Sequence, residues 1–190
     1  MKRTLCAVLA ALLLCGCGGK DRAAEELQAR YAAMEKVTLS GQITCHLPDE
    51  SRTFAVECAV EGDGARVTVT APEELAGITA RIKGEELTLE WDGTALPAGR
   101  SGGVDPCTCL PWLLRAAADG YVTEQGRRTL EEIPCLWLAL DATAPDGGKV
   151  VCQAWFDEAG LTPVYAEFYE DGALALSVRV TGFAAEETAP

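Results

Sequence analysis

From Asp21 to Lys36 the apolar residues Ala24, Leu27, Tyr31 and Met34 recur at helical spacing, with Glu25, Glu26, Arg30 and Glu35 elsewhere on the surface. This pattern predicts one amphipathic helix laid on a sheet. At Val37 the period changes to two. Val37, Leu39, Ile43, Cys45 and Leu47 alternate with Thr38, Ser40, Gln42, Thr44 and His46, and Phe54, Val56, Cys58 and Val60 answer them beyond Pro48-Asp49-Glu50-Ser51. Two strands and a turn make a hairpin. Strands are predicted again at Ala65–Val69, Ile78–Ile82 and Leu87–Trp91, after which residues 97–104 form a flexible break. A second helix is predicted from there, with Asp105 as N-cap, Pro106 at its first position and Gly120 beyond its end. Its residues Leu110, Trp112, Leu113 and Leu114 are apolar almost all round, so it is sandwiched or covers something apolar, and these four are candidate lid or ligand-facing residues. The continuous apolar run Cys135–Leu140 predicts a strand buried on both faces. Val150–Phe156 pairs back on it, and Val164, Ala166 and Phe168 face Leu174, Leu176, Val178 and Val180 across Asp171-Gly172. Asp-Gly at 63, 92 and 171 supplies the positive φ that tight hairpin turns require.

The predicted fold class is α+β: a strongly curved antiparallel sheet (an incomplete β-barrel) with an N-terminal helix and a mid-chain lid helix. About ten strands in one sheet cannot stay flat, because strand twist curls or splits them. Before this domain, Lys2 and Arg3 precede an apolar run, Leu5–Leu14, that is half the roughly twenty residues a spanning helix needs and suits a signal segment. Leu14-Cys15-Gly16-Cys17 resembles a bacterial lipobox, which implies a diacylglyceryl group on Cys17 and its placement as the first mature residue. The expected organisation is residues 1–16 as signal peptide, 17–22 as lipidated tether, 23–184 as the half-barrel and 185–190 as an acidic tail. An ordinary cleaved secretory signal is the alternative, and both export the chain.

Charge sharpens this picture. The chain holds 29 acidic against 16 basic residues, a net charge of -13, which falls to -15 once Lys2 and Arg3 leave with the signal. A domain so acidic repels nucleic acid and anionic headgroups, so no nucleic-acid partner is expected and a diacyl anchor must hold it at the membrane. Of nine cysteines, six remain in the domain: Cys45, Cys58, Cys107, Cys109, Cys135 and Cys152. An even set in an exported protein favours disulfides. Cys45 and Cys58 share the apolar face of the hairpin and make a candidate cross-strand bridge, two buried thiols being the other reading. Cys107 and Cys109 are too close in sequence for the usual zinc or redox spacing and point about 200° apart on a helix, so they have different partners, Cys135 and Cys152 being the expected ones. A metal or redox site, or free thiols, stay open for them.

No metal site or cofactor is predicted, and no catalytic residue. His46 is the single histidine, on the polar face of a strand, and reads as a solvated residue. The Glu-Glu pairs at 25, 73, 85 and 131 fall on turns and helix starts, where solvated charge is the ordinary role, rather than across a cleft.

Three stretches carry a family likeness: the helix running into Val37-Thr38-Leu39-Ser40-Gly41, the segment Pro72-Glu73-Glu74-Leu75-Ala76-Gly77-Ile78 with Gly84, and Trp155-Phe156-Asp157-Glu158-Ala159-Gly160-Leu161-Thr162-Pro163 with the Asp171-Gly172 hairpin. Together they resemble the LolA/LolB-type lipoprotein-localisation fold, and lipid-anchored relatives of spore-forming Firmicutes that act in spore germination. The resemblance implies an extracytoplasmic, non-catalytic lipoprotein that binds an acyl chain, lipid or lipoprotein in a half-barrel cavity. Its alternative is a protein-interaction module that docks or regulates an envelope or spore-cortex cell-wall enzyme.

Overall fold

The computed structural model describes residues 21–100, 104–143 and 149–187. The signal run, Cys17 and most of the tether lie outside them. The N-terminal helix α1 (Asp21–Ala32) leads into β1 (Met34–His46), β2 (Ser51–Glu61), β3 (Gly64–Ala71), a 3-10 turn (Glu73–Leu75), β4 (Thr79–Lys83), β5 (Glu86–Trp91) and β6 (Thr94–Arg100). Helix α2 (Cys109–Asp119) then precedes β7 (Tyr121–Leu130), β8 (Ile133–Thr143), β9 (Lys149–Asp157), β10 (Pro163–Glu170) and β11 (Ala173–Glu187). All eleven strands form one antiparallel sheet in the order β6-β5-β4-β3-β2-β1-β11-β10-β9-β8-β7. Two meanders are thus joined at the centre by β1 and β11, the first and last strands, and the two sheet edges, β6 and β7, stay unpaired with each other. The sheet is an open half-barrel, as the alternating pattern predicted.

The central seam bends. β1 and β11 pair from Met34–Glu187 to Cys45–Leu176 with a register shift between Ser40 and Gly41. A side chain on Gly41 would come within 2.9 Å of the Arg179 carbonyl oxygen, so glycine permits the close approach there. β11 runs further than expected: residues 185–187 continue the ladder beside β1, and Lys36 Nζ lies 3.8 Å from Glu186.

Alternation sorts each strand between faces. Val37, Leu39, Ile43, Val56, Cys58, Val67 and Ala80 point to the inner face, where α1 supplies Ala24, Leu27 and Tyr31 and α2 supplies Leu110 and Leu113. Phe156, Phe168, Leu138, Leu140 and Val178 complete the core. β8 is buried on both faces: Cys135, Trp137 and Ala139 form a second, outer cluster with Trp155. The Arg128 guanidinium sits 3.5 Å over the Trp137 ring and covers it. α1 is tied down by Tyr31 Oη donating to the Leu161 carbonyl at 2.9 Å and by an Arg30 hydrogen bond to the Gly160 carbonyl.

Consecutive positive φ values mark the tight turns at Asp92-Gly93 (47° and 74°) and Asp171-Gly172 (49° and 81°). The β7–β8 turn has the same form but is built from Glu131-Glu132, at φ 48° and 72°. Glu131 is occupied, since both its carboxylate oxygens accept from Arg179, at 2.8 and 2.7 Å. Glu132 carries backbone strain without such a partner in those bonds. Glu132→Gly is expected to stabilise the fold by about 1 kcal/mol and raise the Tm by about 2–4 °C in thermal unfolding.

Candidate functional site

α2 is the crossover between the two meanders, and it is placed by its ends. The Asp105 carboxylate accepts from the backbone N–H groups of Cys107 at 2.7 Å and Thr108 at 3.0 Å, and Asp105 N–H donates to Thr108 Oγ1 at 3.0 Å. The helix proper starts at Cys109, after the turn that Asp105 caps, rather than at Pro106. At the far end Gly120 N–H donates to the Ala116 carbonyl at 2.9 Å, and any side chain on Gly120 would collide with that oxygen. Gln28 Nε2 of α1 donates to the Gly120 carbonyl at 2.7 Å, which joins the two helices.

Leu110 and Leu113 are fully buried in the core, so of the four expected ligand-facing residues these two face packed side chains instead. Trp112 and Leu114 do border open space, joined by Thr108, Pro111, Arg115 and Ala118. A cavity of about 480 Å³ lies beneath this side of α2, within the roughly 300–1,000 Å³ typical of small-molecule sites. Its floor is a single cross-strand row, with Val37 opposite Val60, Val60 opposite Ala65 and Ala65 opposite Ile82. Tyr31 and Met34 close the α1 side, and the turns holding Gly62-Asp63-Gly64 and Gly84-Glu85 form the rim. The rim residues place this open volume at the β2–β3 and β4–β5 turn end of the inner face.

The polar groups at this cavity are few. Burial drives the Tyr31 hydroxyl far above its usual range, with Arg30 opposing in part, so it stays a neutral hydrogen-bond donor. Glu85 on the rim is paired with Arg100. Arg115 is exposed and has no ion-pair partner among the described residues. Trp112 packs edge-on against Phe168, centroids 5.5 Å apart at 71°, and its indole N–H is buried with no hydrogen-bond partner.

The structure separates the cysteines otherwise than expected. The hairpin turn falls at 47–50, where Leu47 N–H donates to the Glu50 carbonyl at 2.9 Å, so Cys45 is opposite Arg52 and Cys58 opposite Leu39. The face-to-face placement of Cys45 and Cys58 is therefore lost, six residues of register apart, though both do lie on the inner face. Cys135 belongs to the outer cluster and Cys152 to the inner core, so the sheet itself stands between Cys135 and the α2 cysteines. All six carry thiols in this structure, and among the described residues no group of three His, Cys, Asp or Glu side chains is arranged to hold a metal.

His46 is less solvated than expected: its Nε2 lies 2.9 Å from Ser177 Oγ across the β1–β11 seam. Neither residue lines the helix-side cavity, and the pair reads as a cross-strand contact. The rim residue that the sequence does not single out is Arg115, whose only signal there is to be the one basic residue of a largely apolar helix.

This arrangement is an open antiparallel half-barrel with two helices on its inner face and a cavity under the second. The chain is similar in structure to a domain from Vibrio parahaemolyticus described as an outer membrane lipoprotein-sorting protein, with a TM-score of 0.53 at 14% identity over 88% of this chain and 92% of that one. An uncharacterized conserved protein from Thermus thermophilus gives 0.52 at 12% identity, over 88% and 90%. A DUF1329 family protein from Desulfovibrio piger gives 0.50 at 11% identity, over 87% and 92%. No family model and no curated protein sequence matches the chain. At these identities the likeness is one of fold.

Proposed function

We propose that the domain is a membrane-tethered, non-catalytic lipoprotein that holds a single acyl chain in the cavity beneath α2, with the chain's anionic or carbonyl head at the rim beside Arg115. The observation that carries this reading is the apolar row Val37–Val60–Ala65–Ile82 facing Pro111, Trp112 and Leu114 across open space. Apolar walls of this kind gain roughly 25 cal/mol per Å² when a hydrocarbon displaces water from them. A volume of about 480 Å³ suits one chain rather than a multiply acylated anchor. Anchoring through Cys17 places the domain outside the cytoplasmic membrane, within reach of such lipids; among the described residues no helix is long and apolar enough to cross a membrane.

The test is a titration of the full chain, in detergent-free nanodiscs, with saturated fatty acids of stepwise length. Affinity is expected to rise about fourfold per methylene, the equivalent of ~0.8 kcal/mol, until the cavity is full. Arg115→Ala is expected to weaken a fatty acid about three- to tenfold and to leave the corresponding fatty alcohol unchanged. Affinity that ignores chain length, or no uptake at any length, overturns the reading. The second reading, a module docking an envelope or spore-cortex enzyme, draws on Trp91 and Leu96, which are 59% and 64% exposed near the free edge at β6. Cross-linking in membranes that captures a cell-wall enzyme through these residues, with no lipid uptake, is the outcome that would replace the first reading by it.

A further inference from the structure

The half-barrel ends in two unpaired strands, β6 and β7, and the two edges differ. On β6 the pair Trp91–Thr94 closes a two-residue turn and is mutually hydrogen-bonded, so the backbone groups of Ala95 and Pro97 point away from β5. Pro97 has no N–H to offer there, and the ladder shifts register beside it, which closes this edge to a further strand. β7 carries no proline, and its ladder to β8 is regular from Glu124 to Leu130. The pair Leu130–Ile133 closes the Glu131-Glu132 turn, so Leu130, Arg128, Gly126 and Glu124 bond to β8. Thr129, Arg127 and Gln125 therefore present their N–H and carbonyl groups to the open edge. Pro134, opposite Thr129, agrees with this alternation: its carbonyl accepts from Glu158 N–H at 3.0 Å, on the side away from β7.

Glu124, Gly126 and Arg128 stand opposite Ala139, Trp137 and Cys135, which form the outer cluster, so all three share the outer face. Glu124 and Arg128 are exposed, and among the described residues neither makes an ion pair. Four residues of strand set them roughly 13 Å apart, too far to meet each other. Gly126 lies midway between them. The Arg128 guanidinium sits over the Trp137 ring, which uses its face and leaves its N–H edge for a carboxylate.

We propose that β7 is the interface for a second copy of this chain, paired antiparallel about a two-fold axis through Gly126. Each Glu124 then lies opposite Arg128 of the second copy, in a non-hydrogen-bonded pair, where facing side chains come closest. Gln125 of one copy and Arg127 of the other exchange the backbone hydrogen bonds that both edges leave unmade. The neighbouring registers lose this match. A two-fold at Arg127 sets that arginine against its own copy, and like charges directly opposite are destabilising. A two-fold at Gln125 leaves Glu124 facing Gly126. In the register centred on Gly126 the two eleven-stranded sheets continue into each other. The axis runs along the sheet normal, so both inner faces, each with its α1, point the same way and both copies can stand on one membrane. An interface of one strand pair is weak in free solution and gains from the high effective concentration of copies confined to a surface.

The test places Gly126→Cys in the full chain and treats membranes of the producing cells with a mild oxidant. The added Cβ lies 3.9 Å from Trp137 Cε3, an ordinary contact, so the fold accepts it. At the two-fold the new thiols face each other with Cα atoms roughly 4.5 Å apart, within reach of a disulfide. A disulfide-linked dimer is expected, absent from the wild type and from Ala95→Cys on the β6 edge. In the Gly126→Cys background, Glu124→Arg sets arginine against arginine and is expected to lower the dimer yield at least about fivefold, and Arg128→Glu to do the same. Produced together with tags of different mass, those two variants are expected to recover the yield as the mixed dimer alone, because every charge again meets its opposite. Glu124 is exposed, so the Tm of Glu124→Arg should match its background; Arg128→Glu uncovers Trp137, and if it is unstable Glu124→Arg decides the matter. No dimer from Gly126→Cys, or an undiminished yield in Glu124→Arg, overturns the interface; a mixed pair that gains nothing while both variants are folded overturns the register. No ligand enters the readout, so failure of the acyl-chain reading leaves it standing.

Discussion

Ala65→Phe is expected to abolish acyl-chain uptake while leaving the fold intact. Ala65 stands in the middle of the cavity floor, between Val60 and Ile82, with Trp112 and Leu114 across the space from it. A phenyl ring there occupies the volume a hydrocarbon would take. Excluding even two methylenes costs about 1.6 kcal/mol, so affinity for a fluorescent acyl probe should fall at least tenfold. Phenylalanine suits a strand, and Ala65 is only half-buried, so the Tm should stay within about 2 °C. Full uptake by this variant would place the ligand elsewhere on the molecule.

The second large effect is on stability. Phe168→Ala is expected to cost about 3–5 kcal/mol, because the ring is fully buried and the surrounding sheet cannot close the hole it leaves. In thermal unfolding that corresponds to a Tm lower by roughly 6–20 °C. Phe168 also supports Trp112, whose ring meets it edge-on at 5.5 Å, so the variant should bind acyl probes more weakly even at temperatures where it is folded. Stability lost with probe affinity unchanged would mean that Trp112 does not shape the cavity. The same pair of measurements therefore separates packing from binding: Ala65→Phe moves binding alone, and Phe168→Ala moves both.

Much of the architecture is written in the alternation of side chains, and the exceptions have physical causes. The stripe Ala24, Leu27 and Tyr31 faces the core as its spacing predicts, and the apolar run in β8 is buried on both faces. Alternation assigns a face but not a register. Cys45 and Cys58 both point inward as expected, yet the turn at 47–50, which holds Pro48, Asp49 and Glu50, is centred about three residues before the one that would set them face to face, and each shift in a hairpin turn moves the facing partners twice as far. β7 went unrecognised because Tyr121–Leu130 is an edge strand, mostly exposed, with no alternation to read. The seam between β1 and β11 is a pairing of distant segments, which no local pattern encodes. The cavity was legible only as an apolar helix in need of a neighbour. Which two of its four large residues border open space depends on where the crossover lands, and so does the position of Arg115 at the rim.

Whether this half-barrel holds one acyl chain is read by native mass spectrometry of the full chain released from its own membranes in a mild detergent. One bound acyl lipid per protein molecule is expected, present in the wild type and absent from Ala65→Phe. A wild-type spectrum with no such adduct, unchanged after incubation with excess fatty acid, would contradict it.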